Sequence, residues 1–188
     1  MHFKKAVELF KPDNEESKKE KQIFKEHIKT FSDNTTRKNN ISHFTSSAFI
    51  VNKKRDKVLC VHHNIYKNWS LVGGHLDGNP DVLQVVKKEI KEETGLKNFK
   101  PIIESPISLD AVPSISYYSN NEYVPGHIHL SITFLFEADE NQNIRILEEE
   151  NSAVKWLTFE QLIEKSNEPH MIKIYEKILQ KIKNLEII

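Results

Sequence analysis

Apolar positions recur along this chain with two different periods, and their succession predicts a mixed α/β fold. Residues 127–136 alternate between apolar and polar side chains, as a half-buried strand does. Two apolar runs, over residues 44–51 and 57–63, flank a polar turn and predict a β-hairpin. Helical spacing returns after Asn79 and again after Pro169, where a closing helix is expected. Strands interspersed with helices favour a mixed sheet packed between helical layers.

The first 31 residues show helical patterns, and a linker rich in Asn, Thr and Lys follows them over residues 32–40. The chain of 188 residues suits one domain with a terminal extension. We therefore predict an N-terminal helical extension over residues 1–40 and a single catalytic domain over residues 41–188.

A helix over residues 79–95 is the best-defined element of the pattern. Asn79 is a suitable N-cap, and Pro80 suits the first helical position. Gly95 is placed to end the helix in a left-handed cap. One stripe of the helix is apolar and predicts a core-facing surface, formed by Val82, Val86 and Ile90.

Three carboxylates share one face of this helix, because Glu89, Glu92 and Glu93 stand at i, i+3 and i+4. Two like charges 4 Å apart repel by about 4 kcal/mol at an effective dielectric of about 20. Nearby lysines of a solvated charged face can offset this repulsion. A hard divalent cation such as Mg²⁺ or Mn²⁺, which takes oxygen ligands, can offset it as well. The helix alone leaves both interpretations open.

The spacing from a preceding glycine distinguishes the two interpretations. In one 23-residue window, positions 1, 16, 19, 20, 22 and 23 are occupied by Gly74, Glu89, Glu92, Glu93, Gly95 and Leu96. This window resembles the Nudix box, the signature of the MutT-like Nudix hydrolase superfamily. A later segment, residues 150–156, is similar to the family's Glu-x-x-x-Val-x-Trp pattern. The resemblance implies a Nudix-type α/β/α sandwich with a mixed β-sheet.

Two positions depart from the family pattern. Pro80 stands where the family has its first Glu, and Lys88 stands where it has Arg. Asp77 and Asp81 are candidate replacements for the lost carboxylate. Lys is a flexible point charge, whereas Arg orients a carboxylate with a planar fork, so Lys88 is expected to support its neighbouring glutamate less rigidly.

The resemblance implies a pyrophosphatase-type hydrolase that cleaves the phosphoanhydride bond of a nucleoside-diphosphate-linked substrate. It also implies Mg²⁺ as the cofactor, with Mn²⁺ as the other candidate ion. The implied metal ligands are Glu89, Glu92 and Glu93, with the backbone carbonyl of Gly74. Glu92 is the first candidate for the general base, and Glu150 is a candidate outside the box whose alternative is a solvated turn carboxylate.

Other polar and aromatic residues are candidates for substrate contact. Tyr66, Tyr117, Tyr118 and Tyr123 offer aromatic faces on which a base can stack, or they only decorate a hairpin, whereas Trp69 is expected in the core. His75 follows the glycine pair, and His127 and His129 share one strand face that either touches the site or only forms hydrogen bonds. Residues 112–126 predict a long polar and aromatic loop of the kind that often carries function. Residues 144–147 predict a further short strand.

Composition excludes several classes of protein. A formal net charge of zero and a pI of about 7.1 provide no general basic surface for nucleic acid. No apolar run approaches the roughly 18 residues of a membrane span, and the N-terminus has no signal-peptide core, so we expect a cytoplasmic protein. Cys60 is the single cysteine and is expected to be buried in a strand. The oligomeric state, monomer or homodimer, stays open.

Two further functions compete with hydrolysis. A Nudix-fold module that binds or senses a ligand with weak or no catalysis would explain Pro80 and Lys88. A Nudix-type isomerase of isoprenoid diphosphates usually needs an active-site cysteine, and the apolar surroundings of Cys60 do not favour that role.

Overall fold

An eight-stranded mixed sheet separates two layers of helices in this computed structural model, which describes residues 1–119 and 121–186. The helices are α1 (Phe3–Leu9), α2 (Glu15–Thr30), α3 (Val82–Thr94), α4 (Phe159–Lys165) and α5 (Pro169–Asn184). The strands are β1 (Ser42–Asn52), β2 (Lys57–His63), β3 (Asn68–Ser70), β4 (Val72–His75), β5 (Phe99–Pro101), β6 (Ser108–Ser114), β7 (Tyr117–Ser119), β8 (Glu122–Val124), β9 (His127–Ala138) and β10 (Asn151–Thr158).

The sheet is organised around the parallel pair of β1 and β9. These strands stay in register from Ser42 beside Ile128 to Asn52 beside Ala138. Strand order is β10-β2-β1-β9-β5, with β3 on β2, β4 on β1 and β6 on β9. The pairs other than β1 with β9 are antiparallel, so the sheet is mixed as predicted.

Alternation along β1 divides the core between the two faces of the sheet. Phe44, Ala48 and Ile50 pack with α1, α2 and α3, whereas Phe49 and Val51 pack with α4 and α5. Both predicted helical layers are therefore present, and the α/β/α sandwich is confirmed. Cys60 is buried in the second cluster, and its burial raises the pKa of the thiol.

The predicted N-terminal helices contribute to the first core. The Phe44 ring lies 5.0 Å from the Phe3 ring and 5.5 Å from the Phe24 ring, centroid to centroid. Residues 1–40 therefore share a core with the sheet, and the proposed boundary at residue 41 stays a prediction. None of the helices in the two described ranges has the length and apolarity that crossing a membrane requires.

Helix α3 begins two residues later than the N-cap prediction placed it. Asp81, not Asn79, is the N-cap, and its side chain accepts a hydrogen bond from the Gln84 backbone N–H. The Asn79 side chain instead accepts the N–H of Asp81 and forms the turn before the helix. The other end agrees with the prediction, since Gly95 adopts the left-handed conformation with φ 73°.

Two other local predictions were wrong. Residues 112–126 do not form one long loop, because β6 continues to Ser114 and β7 pairs with β8, while Asn120 lies outside the described residues. Residues 144–147 form no strand, because Arg145 donates its backbone N–H to the Thr94 carbonyl at the end of α3.

Candidate active site

A cleft of about 420 Å³ opens between the glycine pair, helix α3 and the segment before β10. It brings together most of the residues proposed from the sequence. Those that line it are Tyr66, Gly74, His75, Lys88, Glu89, Glu92, His129 and Glu150. Glu93 and His127 lie behind this surface and are buried.

Three carboxylates converge at one side of this cleft. Glu89, Glu93 and Glu150 each place an oxygen within 4.8 Å of the others, and we call this group the carboxylate cluster. Glu89 and Glu93 lie one helical turn apart on α3, whereas Glu150 comes from the turn before β10. Oxygen donors of this kind suit a hard cation such as Mg²⁺ or Mn²⁺.

Glu93 lies at the bottom of the cluster and is 3% exposed. Its Oε1 accepts the backbone N–H of Gly73 at 2.9 Å. Burial raises the pKa of Glu93 to about 8, and burial also raises the pKa of Glu89. A cation bound here would supply the charge that these carboxylates need to ionise.

The glycine pair lies within β4, because Gly73 and Gly74 pair with Ser47 and Ser46 of β1. A Cβ on Gly73 would meet the Ser46 carbonyl oxygen at 2.6 Å. A Cβ on Gly74 would meet Glu89 Cδ at 2.8 Å. Glycine is therefore required at both positions. The backbone of β1 approaches Gly73 closely, and the Glu89 carboxyl group approaches Gly74 closely.

Glu92 and Lys88 lie at the rim instead of within the carboxylate cluster. Lys88 Nζ lies 2.8 Å from Glu92 Oε2 and 3.8 Å from Glu89 Oε1. The Lys88 side chain is 63% exposed, so this pairing stabilises the fold little. Lys88 therefore lies beside two box carboxylates, and its supporting role stays a prediction.

The two aspartates near the lost box glutamate are engaged elsewhere. Asp81 caps α3 and contacts the Met1 amino group at 2.6 Å. Asp77 lines the cleft and accepts two hydrogen bonds from Arg37, at 2.7 and 2.8 Å. Those hydrogen bonds hold the pKa of Asp77 below its usual range.

Sequence reasoning missed Arg37 because it lies in a segment interpreted as a linker. From this segment Arg37 lines the cleft, and its guanidinium donates two hydrogen bonds to the Asp77 carboxylate. The only sequence signal was compositional, since Arg37 is one of three arginines among many lysines.

Sequence reasoning also missed His43, which joins three of the predicted histidines. His43, His75, His127 and His129 form a second group, the histidine cluster, with one ring nitrogen of each within 4.8 Å of the others. Burial lowers the pKa of His75 to about 3 and that of His129 to about 2, so both rings are neutral. The sequence predicted that His127 and His129 share one face of a strand, but it did not show that His43 lies beside them.

The predicted aromatic residues separate into two groups. Tyr66 borders the cleft, and its hydroxyl lies 3.1 Å from Ser114 Oγ, while Tyr117 lines the same cleft. Trp69 packs against the second core, as its core interpretation predicted. Tyr118 and Tyr123 are exposed on the β7–β8 hairpin with ring centroids 5.5 Å apart.

Comparison with known proteins gives one family match and many structural ones. The sequence model of the NUDIX domain matches residues 42–178. The chain is similar to a C. elegans Ap4A hydrolase in a binary complex, at 16% identity over 75% of this chain and 98% of that chain, with a TM-score of 0.57.

Two bacterial structures are similar as well. A NUDIX-family hydrolase from Clostridium perfringens shares 25% identity over 73% of this chain and 96% of that chain, with a TM-score of 0.51. The E. coli dihydroneopterin triphosphate pyrophosphohydrolase shares 15% identity over 71% of this chain and 92% of that chain, also with a TM-score of 0.51. No curated protein matches the sequence.

Proposed function

This chain belongs to the Nudix family, and on that premise we propose that it is a Mg²⁺-dependent hydrolase of a nucleoside-diphosphate-linked substrate. Family membership makes it a pyrophosphohydrolase that acts on phosphorus-containing anhydrides. The metal, the substrate class and the role of each residue are the parts we propose. We also retain the cytoplasm as its location, in keeping with a single buried cysteine.

The observation that carries the proposal is the convergence of three carboxylates on one wall of the cleft. Glu89, Glu93 and Glu150 would hold the cation, and the Gly74 carbonyl is a further candidate ligand. The donors are all oxygens, which fits Mg²⁺ and, as an alternative, Mn²⁺. When bound, such an ion polarises a phosphoryl oxygen and lowers the pKa of a water ligand.

The protein's own groups orient the reactants around that position. The Gly73 N–H fixes one oxygen of Glu93, and the Glu89 side chain packs against Gly74. We assign proton acceptance from the attacking water to Glu92, which faces the cleft outside the carboxylate cluster beside Lys88. Glu150 is the second candidate for this role, because it is exposed and borders the same cleft.

The remaining lining supports a nucleotide-like substrate. Arg37 and Lys88 place positive charge beside the carboxylates, where a polyphosphate chain would lie. Tyr66, Tyr117 and Ile65 supply apolar and aromatic surface for a base. Two similar structures carry names of hydrolases acting on Ap4A and on dihydroneopterin triphosphate, and we include both substrate types among the candidates.

A second candidate function is a ligand-binding or ligand-sensing module with weak or no catalysis. It is favoured by Pro80 at the position of the first box glutamate and by Lys88 at the position of the box arginine. This function predicts thermal stabilisation by a nucleotide without turnover.

The test is product release from nucleoside triphosphates, dinucleoside polyphosphates, ADP-ribose, nucleotide sugars and NAD, each with and without Mg²⁺. Glu150→Gln is the test variant, and Glu148→Gln is the matched control from the same turn. Metal-dependent turnover of one class, lost in Glu150→Gln and kept in Glu148→Gln, supports the proposal. Absence of turnover together with thermal stabilisation by one of these compounds would favour the binding module.

A further inference from the structure

The histidine cluster is built by three strands that meet at the inner end of the cleft. His43 lies in β1, His75 ends β4, and His127 and His129 begin β9. Strand register brings them together, because His43 pairs with His129 across the parallel β1–β9 ladder. His75 pairs with Thr45, two residues along β1 from His43. Ring centroids within the cluster lie 4.7 to 5.3 Å apart.

Backbone carbonyls fix two of these rings so that their Nε2 lone pairs face the cluster. His43 Nδ1 donates to the Asn39 carbonyl at 3.1 Å, and His127 Nδ1 donates to the Pro125 carbonyl at 2.8 Å. A neutral imidazole carries one N–H, so Nε2 of each ring is left as an acceptor. Carbonyl-anchored imidazoles of this kind are typical of histidines that bind a metal.

The converging nitrogens have more lone pairs than protons to satisfy them. His129 Nε2 lies 2.8 Å from His127 Nε2 and 3.1 Å from His75 Nε2, yet it can donate at most one proton. His43 is 4% exposed, and its Nε2 is buried without a hydrogen-bond partner among the described residues. Unpaired buried nitrogens are costly, and a cation that binds several lone pairs together would satisfy them.

The donor set and its spacing define which cation fits. Imidazole nitrogens suit Zn²⁺ and the neighbouring transition metals, whereas Mg²⁺ and Ca²⁺ prefer oxygen. Tetrahedral nitrogens about 2.0–2.1 Å from Zn²⁺ lie roughly 3.3 Å from one another. Two of the nitrogen separations, 2.8 and 3.1 Å, are slightly shorter than this, and all of them lie within 4.8 Å, so modest shifts of the rings would accommodate an ion. His75 and His129 border the cleft and provide a route for its entry.

We propose that His43, His75, His127 and His129 form a tetrahedral site for one Zn²⁺ ion, separate from the carboxylate cluster. Four protein ligands leave no open position, which is the arrangement of a structural site. The ion would join the starts of β1 and β9 to the end of β4. It would thereby anchor the chain between Gly74 and Asp77 at the cleft wall, and this role does not depend on the proposed hydrolase activity.

The test uses the full chain without a histidine tag, stripped with a chelator and titrated with Co²⁺ and then Zn²⁺. We expect the visible absorption bands of tetrahedral Co²⁺, saturation at one ion per chain, and bleaching of the bands by Zn²⁺. Zn²⁺ at about a hundred times its Kd should raise Tm by about 5–10 °C. Failure of the wild-type chain to bind Co²⁺ or Zn²⁺ would overturn the proposal without reference to any variant.

Variants then locate the ion. His43→Asn and His129→Asn should each weaken Zn²⁺ binding at least tenfold, whereas His62→Asn, a histidine outside the cluster, and Glu89→Gln should leave it unchanged. Circular dichroism confirms that each variant is folded. Zn²⁺ binding that is lost in Glu89→Gln and retained in both cluster variants would assign the ion to the carboxylates and contradict the histidine site.

Discussion

The carboxylate cluster and the histidine cluster both adjoin β4, yet they are assembled in different ways. Two members of the carboxylate cluster are four residues apart on α3, so helical geometry alone brings Glu89 and Glu93 together. The histidine cluster needs the register of three strands, since His43 and His129 are neighbours only through the β1–β9 pairing. One strand that ends at His75 thus connects an oxygen-donor site with a nitrogen-donor site.

The two clusters also differ in how burial affects the charge of their side chains. Burial raises the pKa of Glu93 to about 8 and so favours its neutral acid, and a hard cation would reverse that preference. His75 and His129 are already neutral, because burial lowers their pKa values to about 3 and about 2, and they need no proton loss to act as ligands. The carboxylate cluster and the histidine cluster should therefore select different metals.

Removal of one cluster carboxylate should give the largest effect. Glu89→Gln should lower kcat at least about a hundredfold, because loss of a few kcal/mol of transition-state stabilisation costs tenfold for each 1.4 kcal/mol. Steady-state kinetics with Mg²⁺ measure this loss. Glu164→Gln on α4 is the control, and equal activity in the two variants would remove Glu89 from the metal site.

Alanine at Gly73 should mainly lower stability, whereas alanine at Gly74 should mainly lower activity. Gly73→Ala places a Cβ 2.6 Å from the Ser46 carbonyl oxygen and should destabilise the fold by about 1–3 kcal/mol. Gly74→Ala meets only the flexible end of Glu89, so it should keep most of the stability but lower kcat about tenfold. Denaturant unfolding and kinetics on both variants provide the measurement. A Gly74→Ala variant that loses stability but keeps its kcat would show that the reaction does not need Glu89 at its present position.

Glu93→Gln should stabilise the metal-free protein at alkaline pH. The folded-state pKa of Glu93 is raised from 4.5 to about 8, so its stabilising contribution is complete below pH 4.5 and is lost as pH rises through about 8. Glutamine cannot ionise and can still accept the Gly73 N–H. With chelator present, Tm of the variant should exceed the wild-type value by about 5 °C at pH 8.5 and equal it at pH 4.5. A difference independent of pH would point to a packing effect instead.

Lys88→Arg should give the smallest effect. Lys88 is exposed and paired with Glu92, and arginine restores the family's box residue with a planar fork. Activity should stay the same or rise by about threefold or less, as measured by kcat/KM with Mg²⁺. A loss of more than about tenfold in a folded variant would show a role specific to lysine.

Sequence reasoning was strongest where function depends on local spacing. The helix over α3, its Gly95 cap and the shared face of its glutamates follow from a 3.6-residue period, and the strands β1, β2 and β9 follow from apolar patterning. Glu150 required a family resemblance, since nothing local connects it to α3. Arg37 and His43 were missed because their roles arise from chain segments that meet only in the folded sheet.

The central claim is that a hard cation binds at the carboxylate cluster and not at the histidine cluster. The most direct test is to measure Mn²⁺ binding by electron paramagnetic resonance in the wild type, Glu89→Gln and His129→Asn. Mn²⁺ prefers oxygen ligands and reports the carboxylate site without requiring a known substrate. The account predicts that Glu89→Gln weakens Mn²⁺ binding at least tenfold, while His129→Asn binds Mn²⁺ as wild type does. Unchanged Mn²⁺ binding in Glu89→Gln, or its loss in a folded His129→Asn, would contradict the assignment of a hard cation to the carboxylate cluster.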